Sequence, residues 1–354
     1  MRTVLLLVPF LLIFSCVTPP PPEKWNPHDV RGLFPKEFPA EITEAVTEAP
    51  KQHMDTLISY IEKQAKTEKQ KVLYAHDWVA QNIAYDLKQK DGEAERVTDA
   101  YGVIKYGKSV CAGYANVLEL LLDELGIENK VISGWSRGSS FSPFTEAQKE
   151  PDGSSHAWTA VKLDGKWRLL DSTWNAGAGS SAKGWNFRYR RAYYMLPPEG
   201  FLHTHFTDKK KWQLLDDPIS FSEYVEMPNL RGDFFRLGMR PDPSHSKITT
   251  IRSKKEDTLI FPVPKLGENL ELHTNLIDIE TGKKVEGYSL VEPASAQTPT
   301  GDEKRMVRIR FPGNGTYKLS LFARLRKNEE SHYYYLGAYY FEAKELSTPP
   351  SRFP

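Results

Sequence analysis

Three residue types with the means for acyl chemistry stand in order along the chain: Cys111, His156 and Asp171. Cys111 lies in Ser109-Val110-Cys111-Ala112-Gly113-Tyr114-Ala115, at the foot of a predicted helix. A thiol there meets unpaired backbone N–H groups and the positive end of the helix dipole, and both favour thiolate over thiol. Attack on a carbonyl also needs a proton carrier and a group that fixes the carrier's orientation; His156 and Asp171 supply these types. The expected chemistry is a thiolate–imidazolium pair with Asp171 accepting from the far ring nitrogen. The oxyanion would be held partly by N–H groups at the helix start.

The elements that must position these residues are readable from period and punctuation. Leu118, Leu121, Leu122 and Leu125 follow Cys111 at helical spacing, and Gly126 comes where the helix should stop. Lys71 to Asp86 gives a second amphipathic helix, on which His76, Asp77 and Asn82 read as structural hydrogen-bonders rather than catalysts. Lys130 to Trp135 is a short strand, and Arg137 to Ser155 reads as a surface loop rich in Gly, Ser and Pro. His156–Leu163 and Lys166–Thr173 flank Asp164-Gly165, a two-residue hairpin signal. That register puts Trp158 opposite Asp171 and makes His156 and Asp171 diagonal neighbours on one face; a slip of one residue would separate them. Trp135, Trp158 and Trp174 flank these positions as candidate cleft-lining residues.

The 354-residue chain carries 40% hydrophobic and 26% charged residues, enough for two ordinary cores. A net charge of +1 leaves no excess to neutralise a phosphate backbone, so nucleic acid is not an expected partner. Residues 1–16 read as an export signal: Arg2, an apolar run too short to span a bilayer, then Ser15-Cys16, similar to a lipobox. Cys16 would carry a lipid anchoring the chain on the exported side of a bacterial membrane, leaving Cys111 as the free thiol. Residues 17–50, with Pro19 to Pro22, read as a tether, and 51–211 as the catalytic domain. His203 and His205 stand two apart, but no acidic or cysteine ligand is marked beside them, so no metal and no cofactor are expected. From 212 to 346 alternating runs without helical crossovers predict an all-β sandwich, and 347–354 reads as a disordered tail.

Lys108 to Ala115, His156-Ala157-Trp158 and Leu170 to Trp174, preceded by His76-Asp77-Trp78-Val79, resemble the core motifs of the transglutaminase-like superfamily. Tyr193 to Phe206 and the β-rich remainder are similar to its kyphoscoliosis-peptidase-related branch. The resemblance implies an α+β, papain-like transglutaminase core followed by the C-terminal all-β sandwich. It also implies Cys111 as nucleophile, His156 as general base and acid, and Asp171 as its orienting partner. Nothing matches the calcium sites of the animal crosslinking enzymes. The expected function is an exported thiol-dependent hydrolase, a cysteine peptidase or amidase acting on protein or peptide amides, cell-wall peptide included. The alternatives are an amine-transferring crosslinker and a catalytically inactive binding lipoprotein.

Overall fold

The structure is a computed structural model that describes residues 38, 47–138, 141–144, 153–252, 256–263, 270–293, 303–325, 333–346 and 350–353. The expected signal, the lipidation residue Cys16 and all of the tether but 38 and 47–50 lie outside them. Among the described residues no helix is long and apolar enough to cross a membrane. The expectation of a membrane-attached lipoprotein therefore gains no support from the structure.

Helix α1 (Pro50–Gln64) opens with proline at its first turn, where a missing N–H costs nothing, and buries Met54, Leu57 and Ile61 along one stripe. In α2 (Glu68–Asn82) the Thr67 side chain caps the first turn by accepting from the Gln70 N–H. Asp99 does the same for α3 (Ala100–Tyr106) through the Gly102 N–H. Helix α4 begins at Cys111 and runs to Glu124, burying Tyr114, Val117, Leu118, Leu121 and Leu122. It stops as the sequence demands: Gly126 takes φ +72°, and the Ile127 N–H returns to the Leu122 carbonyl.

Behind α4 stands an antiparallel sheet of β1 (Asn129–Ser136), β2 (His156–Leu163), β3 (Lys166–Leu170), β4 (Tyr194–Leu196) and β5 (His205–Phe206), in the order β4-β3-β2-β1-β5. Asp164 and Gly165, at φ +50° and +72°, turn the chain between β2 and β3 with Leu163 opposite Lys166. Two successive positive φ values are the primed turn that matches strand twist, and they fix the register. Helix α5 (Ser172–Ala176) follows at once, capped by Asp171.

Gly134 sits where β1, β2 and β5 crowd together. A Cβ there would fall 2.0 Å from the Phe206 carbonyl oxygen and 2.5 Å from the Trp158 ring. Gly134→Ala must push β5 off its neighbour, and the strain is expected to cost about 1–3 kcal/mol in urea unfolding. The same substitution at Gly153, with open space around its Cβ position but φ +73°, should cost only the backbone strain, about 1–2 kcal/mol.

The second half starts with helices rather than strands. A reciprocal Ser220–Glu223 capping box opens α6 (Phe221–Glu226); β6 (Asn229–Leu230) and α7 (Gly232–Arg236) follow. The strands of the sandwich are β7 (Thr249–Arg252), β8 (Glu256–Val263), β9 (Leu270–Asp278), β10 (Ser289–Pro293), β11 (Glu303–Arg310), β12 (Gly315–Leu325) and β13 (Tyr334–Lys344). One sheet has the order β6-β13-β12-β9, with β7 lying parallel to β13, and a second the order β8-β11-β10. Leu259, Phe261, Val307 and Ile309 of one sheet meet Leu276, Leu319, Leu321 and Phe341 of the other. The α+β core followed by a β-rich sandwich is thus the observed fold class.

Strand β13 is buried on both faces. Tyr339 and Phe341 enter the sandwich core, while Ala338 and Tyr340 pack with Phe141, Leu202, Phe206, Tyr224 and Val225. The Tyr340 hydroxyl donates to the Phe141 carbonyl at 2.8 Å. The segment from Arg137, expected as surface loop, is therefore corrected where it is described: Arg137 and Phe141 are buried at the junction of core and sandwich. The end of the chain is also placed. The Phe353 ring lies under the Arg310 guanidinium at 3.9 Å and its N–H reaches Gly287, so residues 350–353 are not a disordered tail, while 347–349 lie outside the described residues.

Candidate functional site

The hairpin delivers what its register promised. His156 Nε2 lies 2.8 Å from Asp171 Oδ2, both side chains being buried. The other carboxylate oxygen of Asp171 accepts from the Trp174 N–H at 3.0 Å, so the residue that orients His156 also starts α5. A third residue joins them. His205, fully buried on β5, brings its Nε2 to 2.9 Å from the same Oδ2, while its Nδ1 meets Thr204 Oγ1 at 2.9 Å.

Rings close around the group. Trp174 packs on His156 and His205 at 5.5 and 4.5 Å, and Trp158, Tyr193 and Phe201 enclose His205. Arg231, from the segment that joins core to sandwich, stacks on the outer side of Trp174 at 4.7 Å. Of the three candidate cleft residues, Trp158 and Trp174 thus stand at the histidines. Trp135 packs instead with Phe206 and Phe221 in the cluster at the junction.

Charge divides unequally between the two imidazoles. Burial alone would lower both. At His156 the charge and hydrogen bond of Asp171, with those of Cys111, outweigh burial and push the pKa up to about 10. At His205 burial prevails, and the value falls to about 4. Asp171, which burial would raise, is held well below the usual carboxylate range by the two histidines. One carboxylate therefore holds one imidazolium and one neutral imidazole.

Cys111 is half-exposed and free. Burial raises its thiol pKa, but a hydrogen bond with His156, that ring's charge and the Ala157 N–H bring it below the ordinary value. Alkylation by iodoacetamide should accordingly show a pH midpoint below that of an ordinary thiol, and His156→Gln should move the midpoint up.

The compact group is nonetheless His156, Asp171 and His205, whose ligand-capable atoms all lie within 4.8 Å of one another; Cys111 is not a member. That finding corrects the expected Cys111–His156–Asp171 hydrolase. Asp171 is shared with a second imidazole instead of serving His156 alone. The reading of the chain as a thiol-dependent peptidase, amidase or acyl hydrolase falls with the triad.

His203 has a different partner from His205: its Nδ1 donates to the Pro228 carbonyl at 2.8 Å. His76 and Asp77 are structural as expected. His76 bridges Asp77 and Asn175, and Arg191 pairs with Asp77 at 2.5 Å, tying α2 to the chain that follows α5.

Two family models match the chain. Residues 55–172 fit the transglutaminase-like superfamily core, and residues 221–354 fit a KY-like, immunoglobulin-like domain. Over residues 55–172 the chain carries a transglutaminase-like superfamily core. The similarity to relatives is distant: 29% identity over 283 residues to the kyphoscoliosis peptidase of Homo sapiens, covering 77% of this chain and 39% of that protein. Hillarin of Drosophila melanogaster is 26% identical over 235 residues, covering 62% of this chain and 28% of its own length. The chain thus spans well under half the length of these curated relatives. Red sea bream transglutaminase aligns over 87% of this chain and 57% of its own at 10% identity and a TM-score of 0.25, too low to bear on the arrangement. Cys111, at the start of α4, lies within the residues that match the transglutaminase-like core, and His205 lies beyond them.

Proposed function

We propose that the transglutaminase-like core and its sandwich form a non-catalytic module that binds a protein or peptide segment. The observation that carries this reading is the closed His156–Asp171–His205 group, in which the polar residues answer one another rather than a reacting bond. Relatives named as peptidases support peptide recognition in general terms, and recognition is the part carried over here. Arg231 supports the same reading. Its guanidinium is half-buried over Trp174 and Tyr335, and among the described residues no carboxylate pairs with it, so an acidic group of a peptide would find a cation ready-made.

The test uses the full chain against a peptide array that includes acidic sequences and cell-wall peptides. Binding should be equal for wild type and Cys111→Ala, and Arg231→Ala should weaken binding of acidic peptides by about tenfold, the worth of one charge-assisted contact. Mass spectrometry of the same mixtures, with a labelled primary amine present, gives the contrary outcome its chance. Peptide cleavage or amine incorporation that vanishes in Cys111→Ala would sink the binding reading.

A further inference from the structure

A cleft of about 280 Å³ opens where the core meets the sandwich. Leu237 after α7, Leu270 at the start of β9 and Ala323 on β12 give it an apolar wall, and Tyr334, 47% exposed, stands at its edge. Arg190 lines it too, with its guanidinium over the Tyr334 ring at 5.5 Å, and so do Arg191 and Arg324. Among the described residues of the lining, three arginines thus stand against a single carboxylate, Asp233. We propose that the cleft takes the C-terminal residue of a peptide, with its free carboxylate on Arg190 and its apolar or aromatic side chain against Leu237, Leu270 and Tyr334. The assignment rests on the peptide-binding reading and adds which end of the peptide is read.

The arginines have donors to give. Arg190 spends one nitrogen, Nη1, on Asp233 at 2.7 Å, and Arg324 spends Nε and Nη2 on Glu271 at 2.9 and 2.8 Å. Each guanidinium carries five N–H groups, so neither pair exhausts its fork. Both side chains also reach solvent, at 42% and 36% exposure, so an incoming carboxylate meets them without any rearrangement of the core. Size narrows the occupant. Pockets for whole organic ligands measure roughly 300–1,000 Å³, and this cleft, below that range, has room for about one residue. An internal acidic stretch does not match, because neighbouring side chains of an extended chain point to opposite faces and would carry the acid and the apolar group apart. A terminal residue bears carboxylate and side chain on one Cα, and the two enter together. The planar fork of arginine suits that carboxylate, and the bond is charge-assisted.

The experiment measures fluorescence polarisation of the full chain with a labelled glycine-serine hexapeptide that ends in phenylalanine. The free acid should bind about tenfold more tightly than the same peptide amidated, and about tenfold more tightly than a free acid ending in serine. Arg190→Gln should erase the difference between acid and amide and keep the preference for phenylalanine. Tyr334→Ala should do the reverse, weakening the preference for phenylalanine and keeping that for the acid. Both residues lie at the surface, and circular dichroism verifies that the variants are folded. Equal binding of acid and amide by wild type, or an acid preference that survives Arg190→Gln, overturns the site. Binding of N-acetylphenylalanine but not of the hexapeptide overturns the peptide terminus as occupant in favour of a free small acid. Acidic peptides with amidated ends test the wider reading separately: if these bind through Arg231 while the acid and amide of the hexapeptide bind alike, the cleft assignment falls alone.

Discussion

Asp171→Ala should destabilise the protein by about 3–5 kcal/mol, the usual consequence of removing one partner from a buried ion pair. The substitution leaves the His156 imidazolium without its counter-charge, takes the acceptor from His205, and deprives α5 of its cap in one step. Asp171→Asn, which keeps an oxygen for the Trp174 N–H but no charge, should fall between alanine and wild type. Urea unfolding across pH checks the cause as well as the size. His156, raised from 6.5 to about 10, contributes stability that is complete below 6.5 and is lost as pH rises through about 10. His205 runs the other way. Its value falls from 6.5 to about 4, so between these the unfolded chain takes up a proton that the folded chain refuses, and stability drops as pH falls. Asp171, held low, adds stability that is present above 3.8 and lost as pH falls through its folded value. The group's contribution should therefore peak near pH 6.5, with limbs no steeper than about 1.4 kcal/mol per pH unit for each proton. His205→Gln should flatten the limb between 4 and 6.5, whereas Asp171→Ala should flatten the limb above 6.5 and leave the limb between 4 and 6.5 at least as steep, because burial and not Asp171 holds His205 down. An unchanged limb above 6.5 in Asp171→Ala would show that this part of the stability profile has its source elsewhere.

What the sequence disclosed of this site was whatever a short stretch of chain decides by itself. A two-residue turn with positive φ at Asp164 and Gly165 sets the pairing of β2 with β3, and the pairing sets which face His156 shares with Asp171. The stripe of leucines and the stop at Gly126 likewise place Cys111 at a helix start without help from the rest of the molecule. His205 was illegible for the opposite reason. It rides on a strand of two residues, too short for any period, which pairs with Trp135 and Ser136 far back in the chain. Its meeting with Asp171 spans 34 positions and depends on Gly134 letting the backbones approach. The one signal was the pair His203 and His205 two apart, which does not say that the two rings face different partners. The same distinction governs the sandwich. Long alternating runs such as 257–263 and 316–325 were readable, whereas Thr249–Arg252 and Ser289–Pro293 are strands only because neighbours pair with them. The double burial of β13 came from two partners, which no period-two pattern anticipates.

Arg137→Ala is expected to uncouple core from sandwich at a cost of about 3–5 kcal/mol, because the side chain fills a buried polar niche that nothing else can serve. Arg137 is 2% exposed, and among the described residues no carboxylate pairs with its guanidinium. Its charge is instead spread over carbonyls: Nη1 donates to Val225 and Met227 at 3.3 and 2.8 Å, Nη2 to His203 and Pro228 at 2.5 and 3.3 Å. The Tyr224 ring lies 4.3 Å away, and burial pulls the pKa of the group below its ordinary value. One side chain at the end of β1 thereby holds the turn before β5, the end of α6 and the approach to β6. Its own carbonyl accepts from Arg231, which covers Trp174. Alanine would leave the His203, Val225 and Met227 carbonyls facing a void, each worth about 1–3 kcal/mol if dry, while Pro228 keeps the His203 imidazole and the Leu230 N–H; entry of water should recover part of the loss. Arg137→Lys tests the geometry apart from the charge. A point charge on a flexible stem cannot serve four acceptors arranged around a planar fork, so lysine should recover less than half of the loss. The readout that separates this role from ordinary core packing is cooperativity. Calorimetry of wild type should show one transition, and Arg137→Ala should show two, with early proteolysis between residues 207 and 228. A single sharp transition, merely shifted, would mean that the apolar contacts of Tyr340 with Phe141 and its neighbours hold the halves together without the arginine.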